Sequence, residues 1–327
     1  MPKNSVLDME VREVRQLTQR IREYLLVPFD GSTLPVSEAG AHIEVRIEPH
    51  HIGQTVRHYS VLGGTGSIDD GRRALRIAVQ REDRARGSAH IHDTFKIGMR
   101  LQISPPKNNF RLDHRDSKSL MIAGGIGITP IFSMLRSLLQ RRRDVEIVYT
   151  GRSRSEMAYA DEVVQLAGSR AYIYCNDEAG GLLDLKVLLS AQPAGCKVYV
   201  CGPAGLINAT RAAAASLDWD QSRVRSELFT PPPTGLEVAF DVLLSRSGKT
   251  IRVRPDTSIL DALQSAGLHP LFDCRRGECG LCPLPVQETD GPIEHRDRYL
   301  SEEEKASGKT LCICVSRLQG SRLVLDV

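Results

Sequence analysis

Short runs in which apolar and polar residues alternate fill the first third of the chain, as in Ala41-His42-Ile43-Glu44-Val45-Arg46-Ile47 and Leu75-Arg76-Ile77-Ala78-Val79-Gln80. A period of two marks a strand with one buried face. Gly and Pro between the runs predict an antiparallel β-barrel or sandwich over residues 8–113. From Ser119 the pattern changes. Leu120-Met121-Ile122-Ala123 is continuously apolar, a Gly-rich turn follows, and Ile131, Met134, Leu135 and Leu138 then recur at helical spacing. Further apolar strands at Val145–Tyr149, Ala171–Tyr174 and Lys197–Val200 alternate with helix-length segments, which predicts a parallel sheet covered on both faces over 114–229. Pro231-Pro232-Pro233 stops helix and central strand alike, so 230–235 reads as a linker. Beyond it, over 236–327, Val238–Leu244 and Lys249–Val253 form a hairpin around Ser247-Gly248, and Ser258 opens a helix that runs through Leu263.

The length of 327 residues suits such a division, because compact units hold about 100 to 150 residues each. With 41% apolar and 25% charged residues the chain is of the soluble globular type, not disordered or fibrous. A net charge of +3 decides little. Arg141-Arg142-Arg143 and Arg72-Arg73 have acids nearby and read as solvated helix ends, so no nucleic-acid partner is expected. No apolar run reaches the ~18 to 20 residues of a membrane span, and charged residues stand where a signal peptide would be apolar. A cytoplasmic location and no membrane contact are therefore expected. In a reducing compartment, eight cysteines argue for metal or redox chemistry over disulfides.

Three of those cysteines, Cys274, Cys279 and Cys282, have the spacing C-x4-C-x2-C. This is the plant-type [2Fe–2S] pattern, which takes a fourth cysteine far downstream. Cys312 and Cys314 are both available. A loop around a flat cluster must bring thiolates together and turn backbone N–H groups toward the sulfides, and Gly277 and Gly280 give it the freedom to do so. A zinc ribbon would use two C-x2-C pairs, and only one is present.

Two other stretches suit nucleotide chemistry. In Arg57-His58-Tyr59-Ser60 the Tyr ring could pack on an isoalloxazine, the Ser hydroxyl could bond its polar edge and the Arg could neutralise a phosphate; an ordinary half-buried strand is the plainer alternative. Gly124-Gly125-Ile126-Gly127-Ile128-Thr129-Pro130 follows a strand and opens a helix. Its glycines let backbone approach a pyrophosphate, the helix start supplies N–H donors, and Thr129-Pro130 reads as an N-cap and first-turn pair.

The order of these features resembles the phthalate dioxygenase reductase family. Ile77-Ala78-Val79, Gly87-Ser88 and Pro106-Lys107-Asn108-Asn109-Phe110 are similar to its flavin domain, Cys201-Gly202-Pro203 with the Gly124 loop to its nicotinamide domain, and 236–327 to a plant-type ferredoxin of β-grasp fold. The resemblance implies FMN held by Arg57, His58, Tyr59, Ser60, Ala78, Val79, Gln80, Gly87 and Ser88. It implies NADH at Gly124, Gly125, Ile126, Gly127, Thr129, Pro130, Cys201, Gly202 and Pro203. Cys201, Thr129 and Phe229 would stand at the hydride-transfer site, with a small buried hydrophobe as the alternative for Cys201 and an ordinary core Phe for Phe229. The closing segment Cys314-Val315-Ser316-Arg317 makes Cys314 the fourth ligand beside Cys274, Cys279 and Cys282. Departures are Asp273 before the first ligand and Arg84-Ala85-Arg86-Gly87 where a Gly-rich run is usual. The implied protein is a monomer that passes electrons from NADH through FMN and the cluster to the oxygenase component of a Rieske non-haem iron system acting on an aromatic or similar small molecule. Paired C-x-H motifs are missing from the chain, so oxygen activation belongs to that partner. Arg152 and Arg154 could in principle hold an NADPH 2′-phosphate, although the resemblance favours NADH. Other readings are an iron–sulfur carrier or redox-sensor module and a stand-alone NADH oxidase or quinone reductase.

Overall fold

The computed structural model describes residues 6–48, 55–62, 74–82, 86–229, 238–255, 257–273, 275, 277 and 279–327. The chain divides into two compact units, Met1–Glu227 and Leu228–Val327. The Pro231–Pro233 cluster, Arg72-Arg73, Arg84-Ala85 and Cys274 lie outside the described residues.

The first unit opens with β1 (Leu7–Thr18), β2 (Ile21–Pro28), β3 (His42–Ile47), β4 (Thr55–Ser60), β5 (Leu75–Gln80), α1 (Arg86–Thr94) and β6 (Arg100–Ile103). The strands form an antiparallel sheet in the order β4-β3-β6-β1-β2-β5. Just beyond its edges the ends meet, where Leu62 N–H donates to the Arg76 carbonyl at 3.0 Å, so the sheet curls into a barrel. Alternate residues Met9, Val11, Tyr24, Leu26, Ile43, Val45, Leu75, Ile77 and Val79 point inward and pack with Ile91 of α1 into one core. Cross-strand partners share a face. The pairs Val45↔Arg57 and Ile43↔Tyr59 therefore carry Arg57 and Tyr59 on the core-facing side of β4.

The same unit continues with β7 (Lys118–Gly124), α2 (Ile128–Gln140), β8 (Asp144–Gly151), α3 (Ala160–Ala167), β9 (Ala171–Cys175), α4 (Asn176–Ala179), α5 (Leu185–Ser190), β10 (Lys197–Cys201), α6 (Ala204–Ser216) and β11 (Val224–Glu227). These strands are all parallel, in the order β11-β10-β7-β8-β9. The chain runs outward from β7 to β9, then returns to add β10 and β11 on the other side. A switch point thus lies between β7 and β10, and in open α/β sheets the crevice beyond the carboxyl ends there is where ligands bind. The continuously apolar Leu120–Ala123 run is the centre of this sheet and has no exposure at all.

Barrel and sheet are tied together by a buried carboxylate. Glu23 accepts from Tyr159 Oη at 2.8 Å, Arg76 Nη1 at 3.1 Å and Arg15 Nε at 3.2 Å, and Arg15 also reaches Glu162 of α3. A buried charge is tolerated only with such partners, so this knot favours one arrangement of the two layers. Burial, and next the Glu23 charge, push the Tyr159 phenol above its ordinary range.

The second unit contains β12 (Phe240–Leu244), β13 (Thr250–Val253), α7 (Ile259–Ser265), β14 (Pro283–Thr289), β15 (Ile293–Glu294), α8 (Glu302–Ser307), β16 (Thr310–Cys312), β17 (Arg317–Leu318) and β18 (Arg322–Leu325). Its main sheet runs β13-β12-β18-β14-β16, with the last strand inserted parallel beside the first. The predicted hairpin around Ser247-Gly248 is present. Ser258 caps α7 through its hydroxyl, which accepts from the Asp261 N–H at 3.0 Å. Among the described residues no helix is long and apolar enough to cross a membrane.

One expectation is corrected. Thr129 does not cap the helix after the glycine loop. Gly125–Gly127 forms a single tight helical turn, α2 begins at Ile128, and Gly127 stands at the cap position without any side-chain cap bond. Thr129 instead donates to the Ile126 carbonyl at 3.0 Å. Pro130 is tolerated because it lies in the first turn, where its missing N–H would have had no partner within the helix.

Candidate functional site

At the switch point two loops interlock through their backbones. A Cβ on Gly127 would collide with the Cys201 carbonyl and come within 2.6 Å of the Gly202 nitrogen. One on Gly202 would stand 3.0 Å from both Cα and N of Gly124, and one on Gly124 would meet Leu206 at 2.7 Å and Pro203 at 2.9 Å. Only glycine permits this approach. Register brings the loops together, since Cys201 pairs with Ala123 across β10 and β7. Tyr149 Oη donates to the Gly125 carbonyl at 3.1 Å and steadies the turn, where φ is +53°. The result is a backbone cradle at the start of α2, where the Ile128 N–H is already bonded within the preceding turn and Pro130 has none, so what it offers a pyrophosphate is close approach to the backbone. Cys201 is fully buried beside it.

Spacing in the sequence did not point to Glu227. It pairs with Cys201 across β11 and β10 and is only 1% exposed. A carboxylate opposite a thiol becomes visible once strand order is known. Phe229, two residues past β11, is half-buried.

In the barrel, Arg57 lies across the first turn of α1, since a Cβ on Gly87 would collide with its Nε. The Arg57 Nη1 donates to the Val56 carbonyl at 2.8 Å. Ser88 is buried in the same turn, where its hydroxyl accepts from the Glu82 N–H at 3.0 Å. A guanidinium beside a helix start makes an anion site. Tyr59 packs against the barrel core, and burial pushes its phenol well up from the ordinary value. Ser60 Oγ is buried with no hydrogen-bond partner among the described residues. An orphaned hydroxyl costs about 1–3 kcal/mol, and a flavin's polar edge would relieve it. Ala78 and Val79 are buried on β5, and Gln80 donates to Glu82 at 2.8 Å. These residues fit a flavin mononucleotide.

In the second unit Cys282 Sγ and Cys314 Sγ stand 3.2 Å apart, with Cys312 buried beside them. Hydrogen bonding with Cys312 and then Cys314 pulls the Cys282 thiol down, and its bond to Cys282 followed by burial pushes the Cys312 thiol up. Cys279 is half-buried. The described residues contain no group of three or more candidate ligands at metal-binding geometry. The loop itself is shaped as a cluster needs it. Gly277 and Gly280 have φ of +73° and +72°. A Cβ on Gly277 would meet Val315 at 2.7 Å and Asp297 at 2.8 Å, and one on Gly280 would collide with the Tyr299 ring. Converging buried thiols on a left-handed glycine loop fit a [2Fe–2S] centre.

Fold and sites together define a modular flavin, nicotinamide and iron–sulfur oxidoreductase. Residues 99–224 match the family described as dimethylamine monooxygenase subunit DmmA-like, N-terminal domain, and 242–319 match the 2Fe-2S iron-sulfur cluster binding domain. The chain is 38% identical to the heme-dependent oxidative N-demethylase beta subunit of Ectopseudomonas mendocina, over 99% of this chain and 100% of that protein. It is also 38% identical to tetrachlorobenzoquinone reductase of Sphingobium chlorophenolicum, over 99% and 98%. The solved structure of phthalate dioxygenase reductase, described as modular for electron transfer from pyridine nucleotides to [2Fe-2S], superposes with a TM-score of 0.84 at 30% identity, covering 99% of this chain and 98% of that one. The chain belongs to the phthalate dioxygenase reductase family of oxygenase-system reductases. It is an oxidoreductase with a flavin domain and a [2Fe–2S] domain.

Proposed function

We propose that this chain serves, as a cytoplasmic monomer, the oxygenase component of a Rieske non-haem iron system. Support comes first from the pairing, within one unit, of the Gly127–Cys201 backbone cradle with the Arg57–Gly87 anion site, which suits a nucleotide donor and a flavin held by the same body. Arg57 and the first turn of α1, with Ser88, hold the FMN phosphate. Tyr59 packs on the ring system, Ser60 bonds its polar edge, and the 78–80 backbone lines it. Gly124, Gly125, Ile126, Gly127, Thr129 and Pro130 seat the NADH, while Cys201, Gly202 and Pro203 bound the nicotinamide, shielding the transfer from water. Phe229 is assigned to the hydride-transfer site by the family resemblance alone. Cys279, Cys282 and Cys314, with Cys274, bind the cluster. When bound, the flavin takes two electrons as hydride and the cluster releases them one at a time. The relevant segments are 8–113, 114–229, the linker 230–235, and 236–327.

NADH is the preferred donor. Arg152 and Arg154, which could hold a 2′-phosphate, face acids instead, at 4.0 Å from Glu156 and 2.5 Å from Asp161. Likeness to a tetrachlorobenzoquinone reductase favours a second reading, direct reduction of a quinone. Stopped-flow mixing of the NADH-reduced protein with a purified Rieske oxygenase component from the same organism, a haem oxygenase component, or a benzoquinone separates these. Rapid bleaching of the Rieske centre is the expected result. Turnover confined to the haem protein or to the quinone would overturn it, and an equal kcat/KM with NADPH would overturn the donor assignment.

A further inference from the structure

Beneath the cysteine loop lies Asp297, with a side chain that has no solvent exposure. Its Oδ2 accepts from the Leu300 N–H at 2.9 Å and its Oδ1 from the Ser316 hydroxyl at 3.3 Å. His295 Nδ1 is 3.7 Å away, too far for a hydrogen bond. Both oxygens therefore act as acceptors, the pattern of a carboxylate. Its neighbours tie it to both halves of the thiol site. The backbone of Asp297 fills the space a side chain on Gly277 would need, and the next residue, Arg298, donates its N–H to the Gly277 carbonyl at 2.9 Å. Capping Leu300 closes the turn that lays Tyr299 over Gly280. Through Ser316, whose N–H donates to the Cys312 carbonyl at 3.0 Å, the carboxylate also reaches the segment that carries Cys314.

We infer that Asp297 is a positioning residue whose buried negative charge holds the [2Fe–2S] centre at a low reduction potential, so that the centre gives up its electron instead of retaining it. Net charge around an iron–sulfur centre and the hydrogen bonds to its surroundings set its potential, and a fixed anion in a water-poor site acts more strongly than it would in water. Reduction adds a negative charge, which Asp297 opposes. This inference rests on the cluster assignment made above.

Asp297→Asn keeps the size and the cap while removing the charge. EPR-monitored redox titration should find cluster reduction favoured about tenfold in the variant, a rise of about 59 mV for a one-electron couple. Flavin bleaching by NADH should be unchanged. Asp297→Glu, which keeps the charge, should return the potential toward the parent value. An unchanged potential in an Asn variant with full iron and sulfide content would overturn the inference. Should the Asn variant hold no cluster, Asp297→Ser, able to cap Leu300 without charge, is compared with the Glu variant, and the Ser potential must be the higher. Loss of the cluster from all three would likewise overturn it, leaving Asp297 a purely structural role. If the cluster assignment itself is at fault, the unaltered chain lacks the [2Fe–2S] signal.

Discussion

The nicotinamide cradle and the cysteine loop solve opposite problems with the same residue. In the cradle, Gly124, Gly127 and Gly202 matter for what they lack, since missing side chains let the two loops close on each other. In the cysteine loop, Gly277 and Gly280 are accessory. They bend the chain at positive φ so that particular side chains, the thiols of Cys282 and Cys314, can meet. A site built from backbone tolerates changes of side-chain chemistry but not of volume. A site built from ligands has the reverse tolerance.

The sharpest break of this contrast is Cys314→Ser, a change of one atom at nearly constant volume. It should abolish the visible [2Fe–2S] absorption and electron delivery to the oxygenase while leaving NADH-to-flavin reduction intact. Cys312→Ser should keep both; the reverse result would transfer the ligand role to Cys312. A smaller effect in energy, though still disabling, is expected of Gly127→Ala. Its Cβ must displace the Cys201 carbonyl, costing about 1–3 kcal/mol of stability by overpacking and slowing flavin bleaching by NADH at least about tenfold. Thermal melts and stopped-flow absorbance check the two parts, and a native rate in this variant would refute the backbone account.

The smallest effect touches neither site and serves as a control. His92, buried against the Val79 carbonyl at 2.8 Å, has its pKa lowered, mainly by burial. The folded state then binds a proton less readily than the unfolded state. Its contribution to stability is therefore complete above the unfolded value of about 6.5 and is lost as pH falls through the folded value. Melting temperature should drop from about pH 7.5 to about pH 5.5, and less steeply in His92→Gln. His114 and His295 shift in the same direction, so part of the slope remains.

Local regularities of the chain carried most of the fold. The Leu120–Ala123 run became the central buried strand, the Ser247-Gly248 hairpin formed, and Ser258 capped its helix, because each depends on residues a few positions apart. Thr129 misled for the same reason. Its type suits a helix start, but the tight Gly125–Gly127 turn moved the boundary. The partners that complete the sites are distant in sequence. Glu227 opposite Cys201, Arg57 across Gly87 and Asp297 under Gly277 follow from strand order and packing, which no single window of residues encodes.

The return of β10 to the side of β7 also bears on how the protein is made. Glycines near position 124 emerge from the ribosome long before Cys201, yet the groove they share exists only after the intervening strands have been laid down and the chain has doubled back. Contacts of such sequence separation form late and slowly. Half-synthesised or locally opened molecules therefore lack the cradle, and any binding that depends on it reports that this part of the chain has finished folding.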